Sequence, residues 1–282
     1  MNRRLHCAFA LIVLMTADVL PASAQTPPPA QTQPQDDPDM DVNFAEPDFT
    51  LVALPTTLRV PRHKSAFRVT HRFSRPLGQG DFGSLLEDLF GLDSGAQIGL
   101  EYRYGLMRRT QIGFHRTSTR TIEFFAQREV TAQGEAFPLT IDFLASIDGT
   151  NNFRDSYTPA LGAVISRTVA EHAAFYLEPI WVNNSNADPA ELVDDNDTVL
   201  IGIGTRLRIR PTVYLAIEGV PRVAGHDPGA TQISVGLEKR SGGHLFQLTF
   251  TNGVGTTMGQ IARGGRNTDD WHLGFSISRK FF

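Results

Sequence analysis

The chain has 282 residues, a formal net charge of −4 and one cysteine, Cys7. A mildly acidic chain lacks the basic surface of a nucleic-acid-binding protein, so we predict no nucleic-acid partner. With no cysteine beyond residue 7, disulfides, thiolate catalysis and thiolate metal ligands are excluded from the rest of the chain.

The first 24 residues are predicted to be a secretory signal peptide, because a basic start precedes a short apolar run and an A-x-A cleavage site that ends at Ala24. The following residues, 25–55, are rich in Pro, Gln and Asp, which predicts a disordered periplasmic linker. The folded domain is predicted to span residues 56–282. Within it, no run approaches the roughly 18 apolar residues of a membrane-spanning helix.

Apolar and polar residues alternate through about twelve segments of this domain, within a range of ten to fourteen. A period of two is typical of β-strands. The clearest case is the last segment, Trp271–Phe282. Its apolar face carries Leu273, Phe275 and Ile277, and its polar face carries Gly274, Ser276 and Ser278.

The connections between these segments alternate in length. Tight turns at Gly105–Met107, Val169–Glu171, Arg210–Pro211 and Ser241–Gly243 alternate with longer connections such as Pro76–Gly95, Asn183–Asn196 and Gly253–Asp269. One connection, near Thr117–Ser118, is short where a long one is expected. Outer-membrane barrels have long loops at one end, short turns at the other, and both termini in the periplasm. The sequence therefore predicts an all-β fold, a single transmembrane antiparallel up-and-down β-barrel.

The polar stripe predicts the surface of the barrel lumen. It mixes small residues with both charge signs, which suits a confined, wet interior better than the Lys-rich outside of a soluble barrel. The charged residues expected to line the lumen are Arg68, Arg72, Glu101, Arg103, Arg206, Arg208, Glu218 and Glu238.

The apolar stripe is expected to face outer-membrane lipid and lipopolysaccharide. Its aromatics are predicted to lie at the membrane interfaces, as the girdles of outer-membrane barrels do: Tyr102, Tyr104, Phe114, Trp181 and Trp271. A final strand that ends on an aromatic is also what the barrel-assembly machinery reads. The residues expected to form that signal are Phe275, Ile277, Phe281 and Phe282.

Three further segments carry expectations. A short loop helix is predicted near residues 81–91, with Asp81 as its N-cap, and it either enters the barrel mouth, lies on the membrane or covers the rim. Gly253–Gly259 lacks the lysine of a phosphate-binding loop and is predicted to be a flexible external loop. Gly202 and Gly204 lie within a strand and are expected to relieve crowding in the lumen.

No catalytic residue, cofactor or metal site is predicted. A lipid hydrolase on this fold would need a His–Ser pair facing lipid, and the nearest match is His115 with Ser118. His115 has inward parity and no oxyanion-hole pattern accompanies it. An acidic loop, which contains Asp188, Asp194, Asp195 and Asp197, is either a solvated loop or a weak calcium site.

The chain resembles a family of bacterial β-barrel proteins known only as DUF5777. The resemblance covers about residues 55–282. It lies in Gly242–Asn252 and Gly274–Arg279, with further similarity at Phe73, Leu89–Asp93 and Ser166–Arg167. It implies a barrel in the outer membrane and supplies no activity.

Three functions remain open from the sequence. The first is a narrow, porin-like passive channel for small polar solutes or ions. The second is a plugged, non-conducting barrel that acts as a scaffold or surface-interaction module. The third is an outer-membrane lipid hydrolase, although we predict that the chain is not an enzyme. The sequence does not predict the oligomeric state.

Overall fold

The computed structural model of the chain describes residues 43–87, 95–134, 136–186 and 196–282. The predicted signal peptide and residues 25–42 of the predicted linker lie outside these ranges.

Thirteen antiparallel strands form one sheet. They are β1 (Ser65–Pro76), β2 (Ala96–Met107), β3 (Thr110–Thr117), β4 (Ile122–Thr131), β5 (Thr140–Gly149), β6 (Asp155–Val169), β7 (Ala173–Val182), β8 (Thr198–Arg210), β9 (Val213–Val220), β10 (Arg222–Gly225), β11 (Gln232–Ser241), β12 (His244–Thr251) and β13 (His272–Phe281).

The sheet closes on itself, because β1 pairs with β13 and β8 pairs with β9. The result is a closed ring of twelve strands with one extra strand, β10, which pairs with β8 beyond the end of β9. The predicted up-and-down barrel of about twelve strands is confirmed.

The two ends of the barrel differ in their connections. One end, the short-turn end, has two- and three-residue turns at 108–109, 170–172, 211–212 and 242–243, and one longer connection at 132–139. The other, the long-loop end, has the connections 77–95, 183–197 and 252–271, with shorter ones at 118–121 and 150–154. Ser65 pairs with Phe281, so β1 begins and β13 ends at the short-turn end.

The barrel wall is apolar outside and polar inside. Phe143 and Leu237 are 50% and 49% exposed, whereas the neighbouring Asp142 and Glu238 are both 0% exposed. Alternation of this sense is the inverse of a soluble barrel, whose apolar side chains fill the interior. A continuous outward apolar band needs a lipid environment.

The helices are short. One spans Phe82–Glu87, one spans Met258–Ala262, and Thr150–Phe153 forms a single turn with left-handed residues. The predicted loop helix is present over the first of these ranges; residues 88–91 of the predicted range lie outside the described residues. Within the described ranges, no helix is long and apolar enough to cross a bilayer.

Asp81 caps the helix Phe82–Glu87 as predicted, since its Oδ1 accepts the Ser84 backbone N–H at 2.8 Å. This bond and a second one from the Ser84 hydroxyl lower the pKa of Asp81 below its ordinary value. A lowered pKa means that the cap stabilises the helix above the ordinary aspartate pKa and is lost as the pH falls through the lowered one.

The segment that precedes β1 lies inside the barrel. Residues 45–57 are all buried, and they form hydrogen bonds with inward-facing side chains of eight strands around the ring, β1, β2, β4, β6, β7, β8, β9 and β12. Only a segment within the lumen can touch all of these walls. We call residues 43–62 the plug.

The linker prediction is therefore wrong for residues 43–55, which are folded. The plug forms a small hairpin, in which Thr56 N donates to Phe49 O at 2.9 Å and Leu51 N donates to Leu54 O at 2.8 Å. Its tip, Leu51–Leu54, carries the apolar side chains that a solvated linker could not bury. Leu51 and Leu54 are both 0% exposed.

Candidate functional site: the plugged lumen

One carboxylate of the wall binds the tip of the plug. Glu218, on β9, accepts the backbone N–H groups of three successive plug residues, Val52 at 3.0 Å, Ala53 at 2.9 Å and Leu54 at 3.1 Å. Successive N–H groups that converge in a turn form an anion-binding nest. The backbone of the plug tip thus forms a binding site for a carboxylate of the wall.

Arginines of the wall hold the carbonyl groups of the plug. Arg206 donates to Asp48 O at 3.2 Å and to Thr50 O at 2.7 Å. Arg68 and Arg72, both on β1, donate to Val52 O at 3.0 and 3.1 Å. Hydrogen bonds from charged donors are about twice as strong as neutral ones, so these contacts fix the plug in one position.

Arg206 is itself held in the wall by Glu238. Its Nε and Nη2 lie 2.9 and 3.0 Å from the two carboxylate oxygens of Glu238, and both side chains are 0% exposed. This is the bidentate geometry that a planar guanidinium favours. The ion pair therefore presents Arg206 to the plug as a preorganised donor.

Amide side chains complete the attachment. Gln247 donates to Leu51 O at 2.5 Å, Gln127 to Thr56 O at 2.7 Å and Gln111 to Leu58 O at 3.2 Å. Near the entrance of the plug, the Tyr176 hydroxyl donates to Glu46 Oε1 at 2.7 Å. The peptide groups of the plug are thus hydrogen-bonded by the wall along its length. Sequence reasoning missed these four residues, which read as ordinary inward-facing positions.

The glycines of β8 make room for the plug. A Cβ atom at Gly204 would lie 2.3 Å from Leu51 Cδ1, and one at Gly202 would lie 2.9 Å from Leu54 Cδ1. The prediction that these glycines relieve crowding in the lumen fits this geometry. What they accommodate is the apolar tip of the plug.

We expect Gly204→Val to destabilise the plugged barrel by about 1–3 kcal/mol, because added atoms in a packed interior force neighbours to shift. Urea unfolding of the refolded protein measures the loss. The control is Gly219→Val on β9, where an added Cβ meets nothing within 4 Å. Equal losses of stability in the two variants would show that valine destabilises the strands themselves and that its contact with the plug contributes nothing.

The connection 252–271, which we call the inward loop, enters the lumen from the opposite end. Its helix Met258–Ala262 is buried, and its N-terminal N–H groups bond to wall carboxylates: Met258 N to Glu123 at 3.1 Å and Gly259 N to Asp148 at 3.1 Å. The Thr257 hydroxyl also donates to Asp148, at 2.6 Å. The predicted flexible external loop at Gly253–Gly259 is therefore wrong, because carboxylates of β4 and β5 draw it inward.

A chamber remains between the plug and the inward loop. Its volume is about 40 Å³, room for about three water molecules. The plug contributes Thr50 and Val52 to its lining, and the inward loop contributes Thr256 and Met258. The titratable side chains that line it are Arg68, Glu101, Arg103, His115 and Glu123.

Seven of the eight predicted lumen residues lie inside the barrel. Arg68, Arg72, Arg206, Glu218 and Glu238 serve the plug, while Glu101 and Arg103 pair with each other beside the chamber. Arg208 instead lies at the short-turn rim. There it bonds to Glu171 at 3.0 Å and lies over the ring of Phe44, 4.9 Å from its centre.

The predicted interface aromatics occupy two kinds of position. Tyr104, Trp181 and Trp271 lie near strand ends, whereas Tyr102 and Phe114 face each other near the middle of β2. Phe275, Ile277 and Phe281 of the predicted assembly signal point outward, with 36%, 37% and 50% exposure, and Phe282 follows β13. Recognition by the assembly machinery stays a prediction.

The hydrolase candidates are not brought together. His115 points into the chamber, where its Nδ1 is 4.0 Å from Glu123 Oε2 and its Nε2 is 3.5 Å from the Thr256 hydroxyl. Ser118 lies at the long-loop end, where its hydroxyl accepts the Ile98 N–H at 3.0 Å. Across the described residues, no group of three His, Asp or Glu side chains could hold a metal ion. Of the acidic loop, only Asp197 is described, and it accepts the Trp181 indole N–H at 3.2 Å.

Comparison with known proteins agrees with this architecture. A family model described as a membrane-bound β-barrel domain, DUF5777, matches residues 48–281, a span that includes the tip of the plug. No curated protein sequence matches the chain.

Three solved structures with similar folds are distant from this chain in sequence. The NanC porin is 8% identical, with a TM-score of 0.50 over 78% of this chain and 99% of its own. The COG4313 outer membrane channel of Pseudomonas putida F1 is 12% identical, with a TM-score of 0.49 over 79% and 97%. Outer membrane phospholipase A of Escherichia coli is 9% identical, with a TM-score of 0.46 over 85% and 98%. At 8% identity, the similarity to the NanC porin speaks to the fold alone.

Proposed function

The chain belongs to the DUF5777 family of membrane-bound β-barrel domains, and from that premise we propose that it is a porin-like barrel of the bacterial outer membrane that its own plug holds closed. The short-turn end, where the barrel begins and ends, would face the periplasm. When the plug leaves the lumen, the barrel would pass small polar solutes or ions.

The observation that carries this proposal is the match between the charged wall and the backbone of the plug. Arg206 binds carbonyl groups of the plug, and Glu218 binds its N–H groups. In an unplugged lumen, water would bind these two side chains instead. Buried charges rarely add stability over apolar packing of the same volume. A barrel that served only as a scaffold would gain nothing from such an interior, whereas a lumen that is at times filled with water needs it.

The site gives no support to hydrolysis. His115 faces the chamber and not lipid, and Ser118 bonds to the backbone of β2. We therefore propose transport without catalysis.

The test is the conductance of the refolded full chain in planar bilayers. The wild-type barrel is expected to be closed most of the time, and a variant that lacks residues 43–57 is expected to conduct steadily. The control lacks residues 26–40, upstream of the plug, and should be as quiet as wild type. Migration of each variant as a compact, heat-modifiable barrel in gels verifies folding.

Two results would overturn the proposal. If the folded deletion variant conducts no current, the barrel is the non-conducting scaffold of the second hypothesis. If the wild type conducts as well as the deletion variant, the plug does not close the lumen.

A further inference from the structure

Two arginines beside the chamber between the plug and the inward loop have guanidinium nitrogens that lack a hydrogen-bond partner among the described residues. Arg68 and Arg103 are each 5% exposed, and both line the cavity. Among the buried side-chain atoms that line it and lack a partner in the described part of the chain, three are guanidinium nitrogens and the fourth is the Ser146 hydroxyl. No carboxylate oxygen is among them.

The guanidinium of Arg103 is fixed in place. It lies over two aromatic rings, 4.6 Å from the centre of Phe125 and 5.7 Å from that of Phe49. Along its edges, Nε binds Glu101 and Nη2 is 3.4 Å from the Thr50 hydroxyl, which leaves Nη1 without a partner among the described residues. The rings and these bonds hold the guanidinium in one orientation.

Arg68 is fixed in a similar way. Its Nη2 donates to Val52 O of the plug and to Gln247, at 3.0 and 3.2 Å. Its Nε and Nη1 have no hydrogen-bond partner among the described residues. The nearest carboxylate oxygen to Nη1, from Asp48, is 3.8 Å away, which is beyond hydrogen-bond distance.

Buried donors without partners are costly, typically about 1–3 kcal/mol each and more when charged. A ligand that satisfies several of them at once must be an acceptor. Guanidinium N–H groups bind oxyanions through strong, charge-assisted hydrogen bonds, and a cavity of about 40 Å³ limits the ligand to a few heavy atoms.

We propose that the chamber binds one small carboxylate, of the size of formate or acetate, between Arg68 and Arg103. The inference deepens the proposed function, on which its physiological meaning rests, because it names small carboxylates as the solutes that the closed barrel holds in mid-lumen.

The test measures binding of ¹³C-acetate by NMR to the full chain refolded in detergent micelles. Acetate is present during refolding, so slow entry does not hide the site. Wild type should bind one acetate, and benzoate, which is too large, should not compete. Arg103→Lys keeps the charge but loses the Nη1 donor and the planar guanidinium, and should weaken binding at least ten-fold; Arg68→Gln should weaken it as much. The control, Arg109→Gln at the short-turn end, where the side chain is 59% exposed, should bind like wild type.

If wild type binds no acetate, or if Arg103→Lys binds as tightly as wild type, the inference is overturned. Should Arg103→Lys fail to fold, Phe125→Leu replaces it, because loss of the nearer ring over Arg103 should weaken binding several-fold. Acetate binding in micelles does not depend on conductance, so the NMR experiment tests the carboxylate site independently of the proposed channel function. A barrel that never conducts can still bind acetate, and a conducting barrel that binds none overturns only the carboxylate site.

Discussion

Replacing Glu218 with alanine is expected to open the barrel without unfolding it. The Glu218 carboxylate accepts three successive N–H groups of the plug at 2.9–3.1 Å, and no other described side chain is hydrogen-bonded to them. Each hydrogen bond to a charged group contributes about 1.5–3 kcal/mol. A net loss of about 2–4 kcal/mol, after water replaces the carboxylate, would shift the ratio of closed to open barrels by about 30- to 1,000-fold.

Single-channel recording checks this expectation, because the open fraction of time reports the ratio directly. The matched control is Glu171→Ala, which removes a carboxylate at the short-turn rim that is 63% exposed and touches Arg208, not the plug. The open fraction of Glu218→Gln should lie between those of wild type and Glu218→Ala. Its amide oxygen still accepts a hydrogen bond from the plug, but its NH₂ group faces N–H donors of the plug and cannot accept from them. A Glu218→Ala barrel as quiet as wild type would show that the nest does not hold the plug.

The wall of this barrel could be predicted from the sequence because lipid imposes one rule along each strand. In β13, Phe275 and Ile277 point outward while Ser276 and Ser278 point inward, as their alternation predicts. The same rule placed Arg206, Glu218 and Glu238 in the lumen. It could not say what those charges bind.

The plug escaped prediction because it obeys no period. Its tip, Leu51–Leu54, is continuously apolar and short, and the Pro- and Asp-rich residues before it are typical of a linker. Two signals pointed to it. An apolar run within a solvated tether has nowhere to be buried, and Arg68 and Arg72 share one face of β1 with no acid beside them on that strand. The carbonyl of Val52 supplies what these arginines lack.

The inward loop was missed for a different reason. Gly255 and Gly259 lower the helix propensity of the segment, so the helix Met258–Ala262 is too short and glycine-rich to predict. Gly259 is needed where it stands, since a Cβ there would lie 2.6 Å from Asp148 Oδ2. The spacing of Met258, Ile261 and Ala262 behind a threonine N-cap was the available signal. The sequence could not show that this helix lies inside the barrel, because the carboxylates that bind its N-terminus, Asp148 and Glu123, lie far away in sequence.

Arg206→Met is expected to cost the barrel about 3–5 kcal/mol of stability, because it strands the Glu238 carboxylate, which is 0% exposed, with only Gln247 as a partner. Glu238→Gln should cost less, since Arg206 keeps its bonds to Asp48 O and Thr50 O of the plug. The double variant, Arg206→Met with Glu238→Leu, should recover most of the loss, because buried ion pairs are commonly replaced by apolar packing without penalty. Urea unfolding of the three refolded variants measures this order.

Conductance should follow a different order from stability. Arg206 holds two carbonyl groups of the plug, and those bonds are lost in Arg206→Met and in the double variant alike. The double variant should therefore be nearly as stable as wild type and yet open far more often, whereas Glu238→Gln should be less stable but mostly closed. If the double variant were both stable and closed, Arg206 would serve the wall alone, and the closure of the lumen would rest on Glu218, Arg68 and Arg72.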